Sequence, residues 1–350
     1  MSQLNTARAL KMKLMEPKHT NKGTELLGGE MSGIVNWNDI RYPQMYRSYK
    51  AILSNFWIPE RISMMQDVKQ WDTLTDREKD AFERSLGQLA TLDSMQTRAV
   101  AMFSNFVSEP TYHPIAAVIA QQEAVHNESY SYVLSSLVNN GEQNRIFNDA
   151  KDDKRVQKRN KRVQDVYEKF SNDPTHQNFF EALVACIVLE GINFYSTFTF
   201  FYALSREQKM LGTSAMINYI QRDEVQHAYF FSQILRYLMA EHPELHTEDN
   251  IEFIYDFVVQ GVDDEIEWSR WALRDIDGVD LDELEGYIKN LANRRLRGMG
   301  LDNHYEGVSN SMPWMMSYDD DALAMTKSDF FEKESRSYSK ADGDNDLDDI

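Results

Sequence analysis

The chain is short of cysteine: Cys186 is alone in 350 residues, so no intramolecular disulfide can form. The N-terminal stretch MSQLNTARALKMKLMEPKHTN lacks an apolar core of signal-peptide length. Both features point to a reducing, cytoplasmic setting. Positive charge is also scarce, with 37 Lys and Arg against 56 Asp and Glu, for a formal net charge of −19. That balance argues against nucleic acid or an anionic membrane as partner. One run, KDDKRVQKRNKRV at 151–163, is dense in positive charge, but it has interleaved acids and no aromatics. It reads as a solvated connector or helix face.

Helix breakers are few, 8 Pro and 15 Gly, and no strand-like alternation bounded by turn signals recurs. The segments between breakers repeat with helical period, so the chain reads as an all-α protein with one large helical domain. Thr75 and Glu78 form a capping-box pair that starts a helix carrying Phe82, Leu86, Leu89, Leu92 and Asp93. A second helix (IAAVIAQQEAVHNESYSYVLSSLV) follows Pro114 and stops at Asn139-Asn140-Gly141. A third and very apolar one is expected over 179–205, a fourth from Gly212 to before Pro243, and others over 252–273 and 282–297. The third resembles a membrane span by length, but it holds Glu190 near its centre, with Glu181 and Asn193. A charge at mid-bilayer costs roughly 2.5 to 3.5 kcal/mol, so a buried core helix is the better reading.

Two of these helices contain Glu-x-x-His: Glu123 with His126, and Glu224 with His227. At i and i+3 both side chains lie on one helix face, so a carboxylate and an imidazole can meet the same cation. One such tetrapeptide is weak evidence, whereas two on separate long helices are much stronger. A symmetric two-metal bundle site also needs one carboxylate from each of two further helices. Asp93, in QLATLDSMQ, and Glu190, in ACIVLEGINF, are acids in apolar surroundings, where an unpaired carboxylate is costly. For Asp93 alone, a place on a polar stripe is the competing reading. Four carboxylates and two imidazoles without thiolate favour iron or manganese in a redox-active site over structural zinc. The residue types point to dioxygen or peroxide chemistry.

The segments FWIPE, LDSMQ, EAVHNESYSY, LEGINFY and RDEVQH, within 57–338, resemble the small, radical-generating subunit of class I ribonucleotide reductases. The resemblance implies a ferritin-like helical bundle with additional helices over 36–317, after an N-terminal extension over 1–35. From Tyr318 onward the composition turns to Asp, Ser and Lys, too polar to bury a core, so 318–350 reads as a flexible acidic tail. The same resemblance makes Asp93, Glu123, His126, Glu190, Glu224 and His227 the ligands of two iron or two manganese ions. Tyr130, one turn after His126, becomes the radical tyrosine; Tyr132, on another face, is left as packing. Phe194, Phe198 and Ile220 match the apolar pocket around the radical, and Cys186 reads as core.

Trp57, Asp223 and Tyr338 match the residues that pass the radical to a larger catalytic subunit, where ribonucleotides are reduced to deoxyribonucleotides. The implied partners are that large subunit, docked through the C-terminal tail with Leu347 and Ile350 as apolar anchors, and a second copy in a homodimer. Activation by oxygen directly, or through a flavodoxin-like activator supplying superoxide, stays open. Two other readings use the same ligands: a di-metal oxidase or monooxygenase with a substrate pocket, which needs neither Tyr130 nor Tyr338, and a ferritin-like metal store.

Overall fold

The computed structural model describes residues 11–14, 22–30, 34–315 and 318. Tyr338, Leu347 and Ile350 therefore lie outside the described residues. Eleven α-helices make up nearly all regular structure among the described residues: α1 (Pro43–Ser54), α2 (Met65–Trp71), α3 (Asp76–Phe103), α4 (Tyr112–Leu137), α5 (Asn140–Asp152), α6 (Lys154–Asn172), α7 (His176–Gly191), α8 (Tyr195–Arg206), α9 (Leu211–Glu241), α10 (Glu248–Ala272) and α11 (Leu281–Met299). The β contact recorded among them is an isolated antiparallel bridge between Leu27 and Val107.

Two long pairs form the centre. α3 runs along α4, α7 runs along α9, and α4 meets α9, so four helices face one another across a common interior. α6, α10 and α11 cover α7 from outside, while α1 and α2 lie against α4 and α9. Local chemistry sets where these helices start. Thr75 and Glu78 close the expected capping box at α3, with Thr75 N–H donating to Glu78 Oε2 at 2.7 Å and Glu78 N–H to Thr75 Oγ1 at 3.2 Å. α4 begins at Tyr112, ahead of Pro114, because a proline in the first turn gives up an N–H that has no intrahelical acceptor. The start of α9 is capped from a distance: buried Asp67 of α2 accepts from Gly212 N–H at 2.9 Å and Thr213 N–H at 2.7 Å. A carboxylate there satisfies orphan donors and complements the positive helix end.

The continuous helix expected over 179–205 is corrected by the structure to two, α7 and α8, broken at 192–194. Tertiary partners hold the break open. A Cβ on Gly191 would lie 2.6 Å from Arg295 Nε, which donates to the Gly191 carbonyl at 3.0 Å, so only glycine admits that approach. The Asn193 carbonyl accepts from Arg159 NH2 at 2.5 Å, and Ser196 N–H, in the first turn of α8, donates to Glu265 Oε1 at 3.0 Å. Arg159 and Glu265 form a buried ion pair at 2.6 Å. Arg159 belongs to the basic run read as a solvated face, and the structure corrects that reading for Val156, Arg159 and Val163, all buried along α6. The stretch His176–Arg206 is apolar enough to cross a membrane, yet the whole of its most apolar window is buried inside the protein.

Candidate metal centre

Each central helix contributes acids or histidines to one interior point: α3 brings Asp93, α4 Glu123 and His126, α7 Glu190, and α9 Glu224 and His227. All six are fully buried. They fall into two groups of mutually close ligand atoms, Asp93, Glu123 and His126 in one, and Glu123, Glu190, Glu224 and His227 in the other. The two glutamates of the Glu-x-x-His pairs span both halves. Glu123 turns Oε2 to His126 Nδ1 at 3.6 Å and Oε1 to His227 Nδ1 at 3.1 Å. Glu224 turns Oε1 to His126 Nδ1 at 3.0 Å and Oε2 to His227 Nδ1 at 3.4 Å. Asp93 lies on the His126 side, with Oδ2 at 3.9 Å from Nδ1, and Glu190 on the His227 side, with Oε2 at 3.7 Å. The arrangement is two imidazoles, two spanning carboxylates and two end carboxylates.

The orphaned atoms test whether cations fit. Asp93 Oδ1, both oxygens of Glu123 and Glu224, Glu190 Oε2, and Nδ1 of His126 and His227 are buried without a hydrogen-bond partner. An unsatisfied buried polar atom costs about 1 to 3 kcal/mol, and more when charged, so eight converging ones demand a partner of opposite charge. Two divalent cations would match the charge of four carboxylates. The other nitrogen of each imidazole is already held, as metal-binding histidines require: His126 Nε2 lies 3.2 Å from Asp223 Oδ2, and His227 Nε2 lies 2.9 Å from Gln122 Oε1.

The titration behaviour reports the same crowding. Burial, then the charge of Glu123, pushes the Asp93 carboxyl well above its ordinary range; burial and Glu224 do the same to Glu190. Burial alone would also raise Glu224, but its close neighbours, the Glu190 carboxyl and the His126 and His227 imidazoles, hold it below the usual range. For His126 and His227 burial works downward and is outweighed by the surrounding carboxylates, which raise both imidazoles well above 6.5.

Tyr130 is buried on α4, and its phenol donates to Asp93 Oδ2 at 2.6 Å. Burial first, then the Asp93 charge, raises the phenol pKa well above 10, so it stays protonated. Trp57 Nε1 donates to Asp223 Oδ2 at 2.9 Å, the same oxygen that meets His126. A polar chain thus runs from Trp57 through Asp223 to a ligand histidine. Phe194, Phe198 and Ile220 are all buried; the two phenylalanines stack at 5.8 Å, but the helix break means that no continuous helix face links them to Glu190. Tyr132 is partly buried and donates to the Ile62 carbonyl at 3.3 Å.

Three residues were missed from sequence. Gln96 donates to Glu190 Oε1, and Tyr167 donates to Gln96 Oε1 at 2.8 Å while lying 3.2 Å from Cys186 Sγ. Gln122 holds His227 and donates to the Ile52 carbonyl at 3.2 Å. Gln96 stands three residues after Asp93 on the same face, a signal that sequence offered; Tyr167 carried none. Cys186 is fully buried, and burial raises its thiol pKa.

Comparison with known proteins agrees with this geometry. The profile of the family described as "Ribonucleotide reductase, small chain" matches residues 34–313. The chain is 42% identical to the ribonucleoside-diphosphate reductase subunit beta of Halalkalibacterium halodurans, over 97% of this chain and 99% of that one. It is 35% identical to the corresponding subunit of Treponema pallidum, over 90% and 91% of the two chains. Among solved structures, the ribonucleotide reductase R2 subunit of Clostridium botulinum superposes with a TM-score of 0.86 at 34% identity, covering 89% of this chain and 99% of that one.

Proposed function

The chain belongs to the ribonucleotide reductase small-chain family, and from that premise we propose how its residues divide the work of a radical-generating subunit. The protein is the small subunit of a ribonucleoside-diphosphate reductase, and it acts with a large catalytic subunit and as a homodimer. In the proposed reading Asp93, Glu123, His126, Glu190, Glu224 and His227 hold two iron or two manganese ions. Residues 36–317 form the ferritin-like unit, 1–35 an extension and 318–350 the tail that docks on the large subunit. The lone, buried Cys186 accords with a cytoplasmic protein that does no thiol chemistry itself.

When bound and oxidised, by oxygen directly or by superoxide from a flavodoxin-like activator, the metal pair supplies an oxidising equivalent. Tyr130 is the residue that stores it, giving up one electron and its phenolic proton. The observation that carries this reading is the 2.6 Å hydrogen bond from that phenol to Asp93 Oδ2, which provides a proton acceptor in place. Burial excludes water and reductants from the oxidised ring. His126, Asp223 and Trp57 then lead outward by the shared Oδ2 contact, and Tyr338 continues the path to the partner. Phe194, Phe198 and Ile220 keep the interior apolar. Family membership sets this reading above a di-metal oxidase or a metal store.

The test combines resonance and turnover. Metal-loaded, oxygen-activated protein is expected to show a tyrosyl-radical signal coupled to the metals and to support ribonucleoside diphosphate reduction with the large subunit. Tyr130→Phe is expected to keep both metals and lose signal and turnover together. A variant that keeps the signal overturns the assignment.

A further inference from the structure

A second group of metal-type donors lies outside the site described above. Glu25, His176 and His242 bring one ligand atom each to within 4.8 Å of one another. They come from three distant parts of the chain: the N-terminal segment, the first turn of α7 and the C-terminal end of α9. The segment is anchored where Glu25 sits. Leu26 N–H donates to Glu241 Oε2 at 2.8 Å, Ser108 N–H donates to the Leu26 carbonyl at 2.8 Å, and Ser108 Oγ donates to the Glu25 carbonyl at 2.7 Å.

Both imidazoles have one ring nitrogen engaged, as metal-binding histidines do. His176 Nε2 lies 3.0 Å from the Leu27 carbonyl, and His242 Nδ1 lies 3.0 Å from Glu244 Oε1. A ring nitrogen engaged by a carbonyl or carboxylate fixes the tautomer and leaves the opposite nitrogen as a lone-pair donor. For His242 that opposite nitrogen, Nε2, is buried without a hydrogen-bond partner. An imidazole nitrogen left dry is a cost that a cation removes. The two rings lie together at 3.8 Å with 29° between their planes. Capture of one ion has to open that angle, a rotation about the side-chain torsions of two partly exposed rings.

We propose that Glu25, His176 and His242 form a second, mononuclear site for a borderline divalent ion of the zinc type, separate from the di-metal centre, that fastens the N-terminal segment to the ends of α7 and α9. Two imidazoles and one carboxylate are a donor set that zinc accepts, with water in the fourth position. The half-open setting and a trio without thiolate suit a redox-inert mononuclear ion rather than a redox pair. Glu244 is the carboxylate behind His242 that fixes its ring orientation.

The experiment uses full-length protein already loaded with iron and oxidised, titrated with Zn²⁺ by calorimetry, with metal analysis of the same sample. One further zinc per chain is expected, with iron content and tyrosyl signal unchanged. His242→Ala and Glu25→Ala, the second at an exposed position that folding tolerates, are expected to lose that zinc. Glu244→Ala, which touches no ligand atom, is expected to weaken it about 10- to 100-fold. Limited proteolysis provides an independent readout: zinc is expected to protect the segment around 22–30 in the parent and not in His242→Ala. No additional zinc, zinc uptake matched by iron loss, or equal binding by all the variants overturns the site.

Discussion

Oδ2 of Asp223 accepts the indole proton of Trp57 at 2.9 Å. The same oxygen meets His126 Nε2 at 3.2 Å, so one carboxylate ties a buried tryptophan outside the four central helices to an imidazole at their centre. Trp57 also stacks on Tyr219 at 5.3 Å, which keeps the indole plane fixed. Trp57→Phe removes the donor and keeps the ring, so two metals per chain should remain while deoxyribonucleotide formation falls to background. Asp223→Asn changes the group behind His126, and metal affinity should weaken about 10- to 100-fold. Metal analysis and coupled turnover assays on the two variants separate these effects. Full turnover by Trp57→Phe would falsify the outward path.

Metal loading should release protons, and should weaken as pH falls. The carboxyls of Asp93 and Glu190 and the imidazoles of His126 and His227 all hold protons to higher pH than usual in the metal-free site. Ligands bind deprotonated, so those protons compete with the cations and win increasingly below neutrality. Calorimetry in buffers of different ionisation enthalpy gives the number released. A binding constant that does not change with pH would contradict the raised values.

The buried pair of Arg159 and Glu265 should be sensitive to losing one partner and tolerant of losing both. Arg159→Met leaves Glu265 charged, dry and without its 2.6 Å partner, and should cost about 3 to 5 kcal/mol of stability. Combining it with Glu265→Leu should recover much of that loss, because no charge then stays buried. Thermal melts of the single and double variants decide it. Because these residues hold the break after Glu190, the single variant should also bind metal less tightly.

Removal of the residues after Asp320 should leave the metals and the Tyr130 signal intact and abolish turnover with the large subunit. That deletion takes away Tyr338 and the anchors Leu347 and Ile350 without touching the four central helices. A synthetic peptide of the tail should compete with the full-length protein for the large subunit. Retained turnover by the shortened chain rules out both roles of the tail.

Much of the centre was legible because its grammar is local. Glu123 with His126, and Glu224 with His227, are one-turn neighbours, so their shared face follows from helix geometry before any tertiary contact exists. Asp93 and Glu190 stood out because an acid in an apolar run needs a partner. The residues that hold the ligands were less visible. Gln122 faces His227 from another helix, and Tyr167 reaches Gln96 from α6; such pairings are set by how helices pack, which spacing does not encode.

The helix break makes the same point. Hydrophobic period continues through 191–194, so pattern alone extends the helix, while Arg295 at Gly191, Arg159 at Asn193 and Glu265 at Ser196 interrupt it with charged groups from α11, α6 and α10. Arg159 looked like one more member of a solvated basic run until α6 turned it inward.

By itself the amino-acid order determined an all-helical chain, the two Glu-x-x-His faces, the lone acids and a tyrosine one turn from a histidine, since each of these depends on residues within a few positions of one another. Tertiary structure alone decided that Glu123 and Glu224 each reach both histidines, that Tyr130 donates to Asp93, and that His176 and His242 stack beside Glu25. Those facts depend on the distance and rotation between whole helices, which follow from the packing of many side chains at once and from no short stretch of sequence.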